Sequence, residues 1–175
     1  MSPPRPVSVR TATVADAPEV ARIYVESWNE GFGNLLGRRS LTNTEISRWS
    51  TDLIDGRARW WVAELEGEAA GFAGVCPSRD PVDPGLGELD TIAVDPQHWR
   101  SGVGRALMTE ALRALREDGY PTAVLWTPAG YEQGHAFYER MGWRATGATR
   151  AEGTHVAFEI ELSRAGRATA LPRRR

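Results

Sequence analysis

Val94-Asp95-Pro96-Gln97-His98-Trp99-Arg100-Ser101-Gly102-Val103-Gly104-Arg105-Ala106-Leu107 decides how this chain is read. A run of strand character ends in Asp-Pro, a turn follows, and a helix opens at two glycines. Helix N-termini leave about four backbone N–H groups unpaired and carry roughly half a positive charge. Glycine at 102 and 104 lets a ligand approach that backbone with no Cβ in the way. Arg100 and Arg105 add charge beside it, an arrangement that suits a pyrophosphate. Two other phosphate loops do not fit. A dinucleotide fingerprint needs a third glycine where Leu107 stands, and a Walker A loop needs a lysine, which the chain lacks. The plain alternative is a glycine-softened turn with solvated arginines. The strand before it and the amphipathic helix after it favour the anion.

Outward from this segment, Glu88–Val94 is a strand. Val103, Leu107, Ala111, Leu112 and Leu115 recur at helical spacing until Gly119 stops the helix. Toward the N-terminus, Val7–Thr11 alternates as a strand. Asp16 and Glu19 resemble a capping box, with Pro18 in the first turn of a helix running to about Trp28. Gly31–Gly37 is too glycine-rich for a helix and too apolar for a solvated linker. A second helix starts at Thr42, with Glu45 as box partner, and stops before Gly56. Trp60–Glu64 and Ala70–Val75 flank Glu66-Gly67, a hairpin signal, and Asp80–Gly85 is a loop. Thr122–Thr127 is a short buried strand, and a helix through Ala136–Met141 stops at Gly142. Strands at Trp143–Thr149 and Thr154–Leu162 complete the order β α α β β β α β α β β. This predicts an α/β protein of α+β type: a single mixed, mostly antiparallel sheet with helices on both faces. Residues 7–162 form one domain, between a disordered start (1–6) and a basic, disordered tail (163–175).

Composition narrows the class. With 175 residues, 41% hydrophobic and 25% charged, the chain is neither disordered throughout nor collagen nor coiled coil. Apolar runs such as Trp60–Ala63 and Ala123–Trp126 fall far short of the roughly 20 residues of a membrane helix. Met1–Arg10 holds three prolines and no apolar stretch of a signal peptide. The lone Cys76 excludes a disulfide within the chain and a cysteine zinc site, which fits a cytoplasmic location. All 21 basic residues are arginines, and five of them crowd into the last twelve positions without an acid. The remaining sixteen stand against 23 acidic residues, leaving a body of −7 that disfavours nucleic acid and favours cationic partners. Without lysine there is no Schiff-base chemistry.

Two stretches then make the chain recognisable. Val94-Asp95-Pro96 with Trp99–Met108 resembles the acyl-CoA-binding motif of the GNAT superfamily of N-acetyltransferases. His135-Ala136-Phe137-Tyr138-Glu139-Arg140-Met141-Gly142-Trp143 resembles its second signature, Phe-Tyr-Glu followed by Gly-aromatic. Their separation and the element order also match, so the resemblance covers Val7–Leu162. It implies direct transfer of an acetyl group from acetyl-CoA to a primary amine within a ternary complex. It places the pyrophosphate on Arg100, Ser101, Gly102, Val103, Gly104 and Arg105, mainly through main-chain N–H groups. Ile92, Ala93 and Val94 would bond the pantetheine arm as a further strand, with the oxyanion on the N–H of Ile92 or Ala93. Tyr138 would lie near the thioester sulfur as general acid, and Glu88 would be the general base. The chain departs from the pattern at Trp99 (usually arginine or glutamine), Arg100 (usually glycine) and Tyr131 (commonly asparagine).

Chemistry gives these positions their roles. An alkyl amine has a pKa near 10, so only about one molecule in a thousand is nucleophilic at pH 7. Glu88 could take its proton, or Asp90 two residues on; the plain alternative for Glu88 is a solvent-facing strand end. A phenol of pKa near 10 can protonate a departing thiolate, although most helical tyrosines simply pack. Trp28, Phe32 and Trp49, with Glu26 and Glu30, could wall an acceptor site for a cation, or merely pack helices. Trp60 and Trp61 point to opposite sheet faces, so at least one is core. Cys76 reads as core, and His98, His135 and His155 lack metal spacing, so no metal is expected. The expected partner is a small-molecule or peptide amine, with no nucleic acid or membrane; a homodimer is compatible with the chain. The alternative is a non-catalytic acyl-CoA-binding module.

Overall fold

Glu66 (φ 56°) and Gly67 (φ 85°) both take left-handed backbone, which a two-residue hairpin needs to follow the right-handed twist of its strands. They join β2 (Arg59–Leu65) to β3 (Glu68–Pro77) in the computed structural model, which describes residues 6–162. With β1 (Val7–Thr11), β4 (Leu86–Val94), β5 (Thr122–Pro128), β6 (Arg144–Arg150) and β7 (His155–Glu161), they form one seven-stranded sheet. Its order is β1-β2-β3-β4-β5-β7-β6. Only β4 and β5 run parallel; every other pair is antiparallel, as the strand spacing predicts.

Among the described residues five helices cover the sheet: α1 (Ala17–Gly31), α2 (Gly33–Leu36), α3 (Asn43–Asp52), α4 (Val103–Glu117) and α5 (Glu132–Arg140). Several boundaries differ from the sequence expectation. Helix α1 runs past Trp28 to Gly31, and the glycine-rich stretch after it contains the short α2. Packing of Trp28 on Phe32 (centroids 5.1 Å apart) outweighs the weak helix propensity of glycine there. Asp16 does not open its own box with Glu19. Its carboxylate instead accepts the Thr13 N–H at 2.7 Å and holds Arg10, capping a 3₁₀ turn (Val14–Asp16) that leads into α1. Thr42 caps α3 as predicted, accepting the Glu45 N–H at 3.2 Å. Helix α5 begins at Glu132, four residues before the predicted start, and Trp143 precedes β6.

The two neighbouring tryptophans show how the layers form. Trp60 faces α1 and α3, stacking edge-on against Trp49 (5.3 Å) beside Phe72, Val20 and Ile23. Trp61 faces the other way, into the core that α4 and α5 cover with Met108, Leu112, Leu115 and Tyr138. Both are buried. Leu107 of α4 is wholly enclosed, and cutting it to alanine costs about 2–5 kcal/mol. Cys76 is buried, and burial pushes its thiol up to about 12, so it is inert packing.

One irregularity positions everything that follows. Gly74 pairs with Thr91 but Val75 pairs with Leu89, so Asp90 is the extra residue of a bulge in β4. Bulges bend a strand and increase its twist. Pairing between β4 and β5 covers only Leu86–Glu88 against Thr122–Val124, although both strands continue, to Val94 and Pro128. Beyond the bulge the two part. Residues 1–5 and 163–175, holding most of the predicted disordered start and all of the basic tail, lie outside the described residues. No helix among the described residues is long and apolar enough to cross a membrane.

Candidate active site

The opening between β4 and β5 leads into a cavity of about 520 Å³. Its wall on one side is β4 from Thr91 to Val94, an edge with no strand partner toward β5. The phosphate-type loop closes one end. Gly102 holds φ 92°, where a side chain is strained, and nothing lies within 4 Å of where a Cβ would project. Helix α4 makes its first helical bond from Ala106 N–H to Gly102 C=O. The N–H groups of Gly102, Val103, Gly104 and Arg105 therefore have no acceptor among the described residues. Gly102, Gly104, Arg100 and Arg105 line the cavity, and a diphosphate fits this set of donors and charges.

The departures at 99 and 100 acquire physical roles. Trp99 donates its indole N–H to Val94 C=O at 2.8 Å, pinning the loop to the end of β4. Arg100 adopts φ 67°, a left-handed conformation that favours glycine, so its guanidinium is held there at a backbone cost of order 1 kcal/mol. Asp95 anchors the other side of the loop. Buried to 3% exposure, it accepts the Gln97 N–H at 2.9 Å and pairs with Arg22 of α1 at 2.8 Å.

Tyr138 lines the same cavity from α5, 8% exposed. Burial is the main reason its phenol ionises above the ordinary tyrosine value; the neighbouring Tyr131 adds to this and the Thr127 hydroxyl opposes it. The phenol is thus fully protonated at neutral pH. Tyr131 closes the roof, edge-on to Phe32 at 4.7 Å, and burial raises its phenol too. A Cβ on Gly134 would collide with the Tyr131 ring, so glycine there is a condition of that roof.

Across Thr91 lies a second, smaller cavity of about 270 Å³. Tyr24 and Thr91 line both. Glu88 belongs to this second space, not to the first. It is 4% exposed, not solvent-facing, and accepts the Arg79 N–H at 3.2 Å with the Arg79 guanidinium 3.5 Å away. Asp90 is beside it and shares the same guanidinium.

The structure thus brings most of the predicted cofactor residues to one cavity: Ile92, Ala93, Val94, Arg100, Gly102, Gly104, Arg105 and Tyr138. Ser101 is exposed, its hydroxyl donating to His98 C=O. Val103 buries its side chain completely and does not line the cavity. Trp28 and Phe32 line the first cavity, while Glu30 is exposed on α1 and lines neither. Among the described residues no three metal-type ligands converge. Sequence reading missed Tyr24, Ser27, Thr91, Phe137 and Met141 in the first cavity, and Asp52, Arg79 and Arg150 in the second. Phe137 and Met141 flank Tyr138 in the quoted signature, which is the one signal that could have found them. The others carry no local signal and arrive through the sheet, a helix crossing it or, for Arg79, the loop after β3.

The acetyltransferase (GNAT) family model matches residues 17–143. Phosphinothricin N-acetyltransferase of Streptomyces viridochromogenes is 32% identical over 161 residues, 87% of this chain and 83% of that one. Mycothiol acetyltransferase of Streptomyces coelicolor is 31% identical over 80% of this chain but 43% of its own length. Human N-acetyltransferase 8 is 34% identical over 50% of this chain and 39% of its own. This chain therefore spans most of the first relative and under half of the other two. Among solved structures, an N-acetyltransferase from Staphylococcus aureus Mu50 shares the fold, with TM-score 0.74, 19% identity and coverage of 90% and 99%. So does the PaiA N-acetyltransferase of Thermoplasma acidophilum in complex with coenzyme A, with TM-score 0.70, 15% identity and coverage of 89% and 99%. The chain belongs to the GNAT acetyltransferase family. It is an acetyl-CoA-dependent N-acetyltransferase.

Proposed function

We propose that residues 7–162 act as one catalytic unit passing the acetyl group directly to a small primary amine, with both substrates bound at once. The observation that carries the reading is the meeting of three features in one cavity: unpaired N–H groups at the start of α4, an unpaired β4 edge, and the protonated Tyr138. The diphosphate lies on the loop with Arg100 and Arg105 beside it, and the pantetheine arm runs along Ile92–Val94. The sulfur then points toward Tyr138.

The neutral amine nitrogen bonds to the thioester carbonyl carbon, and the oxyanion formed is held by a β4 N–H at Ile92 or Ala93. The C–S bond breaks, leaving the amide and a thiolate. Tyr138 gives its proton to that sulfur, and the proton shed by nitrogen passes to Glu88, directly or through water. Asp90, two residues on and against the same arginine, is the substitute base. Trp28 and Phe32 shape the thioester end of the cavity; Glu30, exposed and outside both cavities, has no part in this reading.

The test is release of free thiol from acetyl-CoA across a panel of primary amines. We expect turnover that Tyr138→Phe slows while leaving coenzyme A affinity intact. Binding without turnover on any amine would instead support a non-catalytic acyl-CoA module.

A further inference from the structure

The second cavity is lined mainly by charge. Arg48, Arg57, Arg79 and Arg150 face Asp52, Asp55, Glu88 and Asp90 around a floor that includes Trp49 and Trp60. Three of the arginines have carboxylate partners: Arg48 with Glu45 at 3.0 Å, Arg57 with Asp55 at 3.3 Å, and Arg79 with Asp90. Arg150, at the end of β6, has none among the described residues. Its guanidinium is stacked over the Trp126 ring at 4.6 Å, which fixes its plane and leaves its edge free to meet an anion.

The negative side is crowded. Asp52, on α3, has Arg48 only at 3.9 Å, while Asp55 and Asp90 press on it from the following loop and from β4. Burial is the main reason its carboxyl stands above the usual range; Asp55 and Asp90 add to this, while Arg48 and, more weakly, Arg57 oppose it. A cation placed among the three relieves that repulsion. Thr91 and Tyr24 border both cavities, so a molecule seated here lies one side chain away from the thioester end of the first.

We propose that the second cavity binds the acceptor, and that the acceptor is a small amine carrying its own anionic group: nitrogen toward Asp52, Asp55 and Asp90, carboxylate or similar oxyanion on Arg150. Its volume, about 270 Å³, is that of an amino-acid-sized molecule rather than a drug-sized one. This inference rests on the transfer reaction proposed above and adds the substrate class.

The experiment compares amino acids and 4-aminobutyrate with their carboxamides, which keep shape and amine but lose the negative charge. Two readouts are taken: calorimetric binding to the coenzyme-A-loaded protein, and thiol release from acetyl-CoA. The acids are expected to bind at least about tenfold tighter than the amides, the scale of one charged hydrogen-bonded contact. Arg150→Gln should erase that preference, Arg150→Lys should keep part of it, and Arg144→Gln, on the exposed face of β6, should keep all of it. Equal binding of acids and amides, no binding of either, or a preference that survives Arg150→Gln overturns the inference. Absence of thiol release with every amine, alongside a preserved binding preference, instead overturns the transfer reading and leaves the binding class standing.

Discussion

The two cavities flank the same residue, Thr91, and are made of different materials. The larger is built by main chain: N–H groups at a helix start, a strand edge without a partner, and left-handed turns at Arg100 and Gly102. Its side chains are mostly apolar or aromatic, and its charges are three arginines, Arg100 and Arg105 at the loop and Arg140 at the end of α5. The smaller is built by side-chain charge contributed by α3, the loop after it, the loop after β3, and strands β4 and β6. Backbone donors suit a ligand common to a whole family, because almost any sequence that makes the turn supplies them. Charged side chains are replaced one at a time, so they suit the ligand that distinguishes one member from another.

Substitutions can break or sharpen this contrast. The largest effect is expected at the reacting sulfur: Tyr138→Phe should lower kcat by about 10²-fold or more, the scale of a lost proton donor, with KM for acetyl-CoA little changed. Because burial raises the phenol's pKa, the wild-type rate should show no loss from Tyr138 ionisation as pH climbs through 9. A pH–rate profile checks both. Next, Gly102→Val removes the left-handed turn and covers the N–H groups, so coenzyme A affinity should fall at least tenfold, of the order of one or two lost contacts to an anion. Unchanged affinity by calorimetry would make the larger cavity a matter of side chains after all.

Glu88→Gln should slow transfer at pH 7 by about tenfold or more, and the deficit should shrink toward pH 9 as more amine is neutral without help. A deficit constant with pH would reduce Glu88 to a positioning role beneath Arg79. Asp95→Ala strips Arg22 and the Gln97 N–H of a buried partner and should cost about 1.5–3 kcal/mol in denaturant unfolding. Smallest is Asp16→Asn. Arg10 holds the Asp16 carboxyl below its ordinary range, so its contribution is present above pH 4 and lost as pH falls through the lowered value. The variant should be slightly less stable at pH 7, and the gap should close in acid.

Regular elements were legible wherever local chemistry dictates them. Glu66-Gly67 has the residues of a tight hairpin, Thr42 and Glu45 those of a helix cap, and the stripe from Val103 to Leu115 has a period no strand can use. The misreadings have a common cause. Gly31 and Gly33 look like helix breakers, yet both sit in helices because Trp28, Phe32 and Tyr131 pack across that stretch. Asp16 looks like the cap of α1, but Thr13 and Arg10 claim its carboxylate. The candidate acceptor residues divide in the same way. Trp28 and Phe32 line the large cavity, whereas Glu30 turns outward on the same helix, and a helical wheel alone does not say which face finds a cavity.

The order of residues alone determined the loop that leaves its amides unpaired, because a turn into a helix frees those amides whatever surrounds it. It also determined the mixed sheet, through alternation and turn chemistry that act over a few residues. Tertiary structure alone decided that β4 parts from β5 at the Asp90 bulge, that Glu88 faces Arg79 rather than solvent, and that Arg150 arrives opposite Asp52 from nearly a hundred residues away. Charges so distant in the chain meet only when the sheet that carries them has closed its register, and nothing in a local pattern encodes that distance.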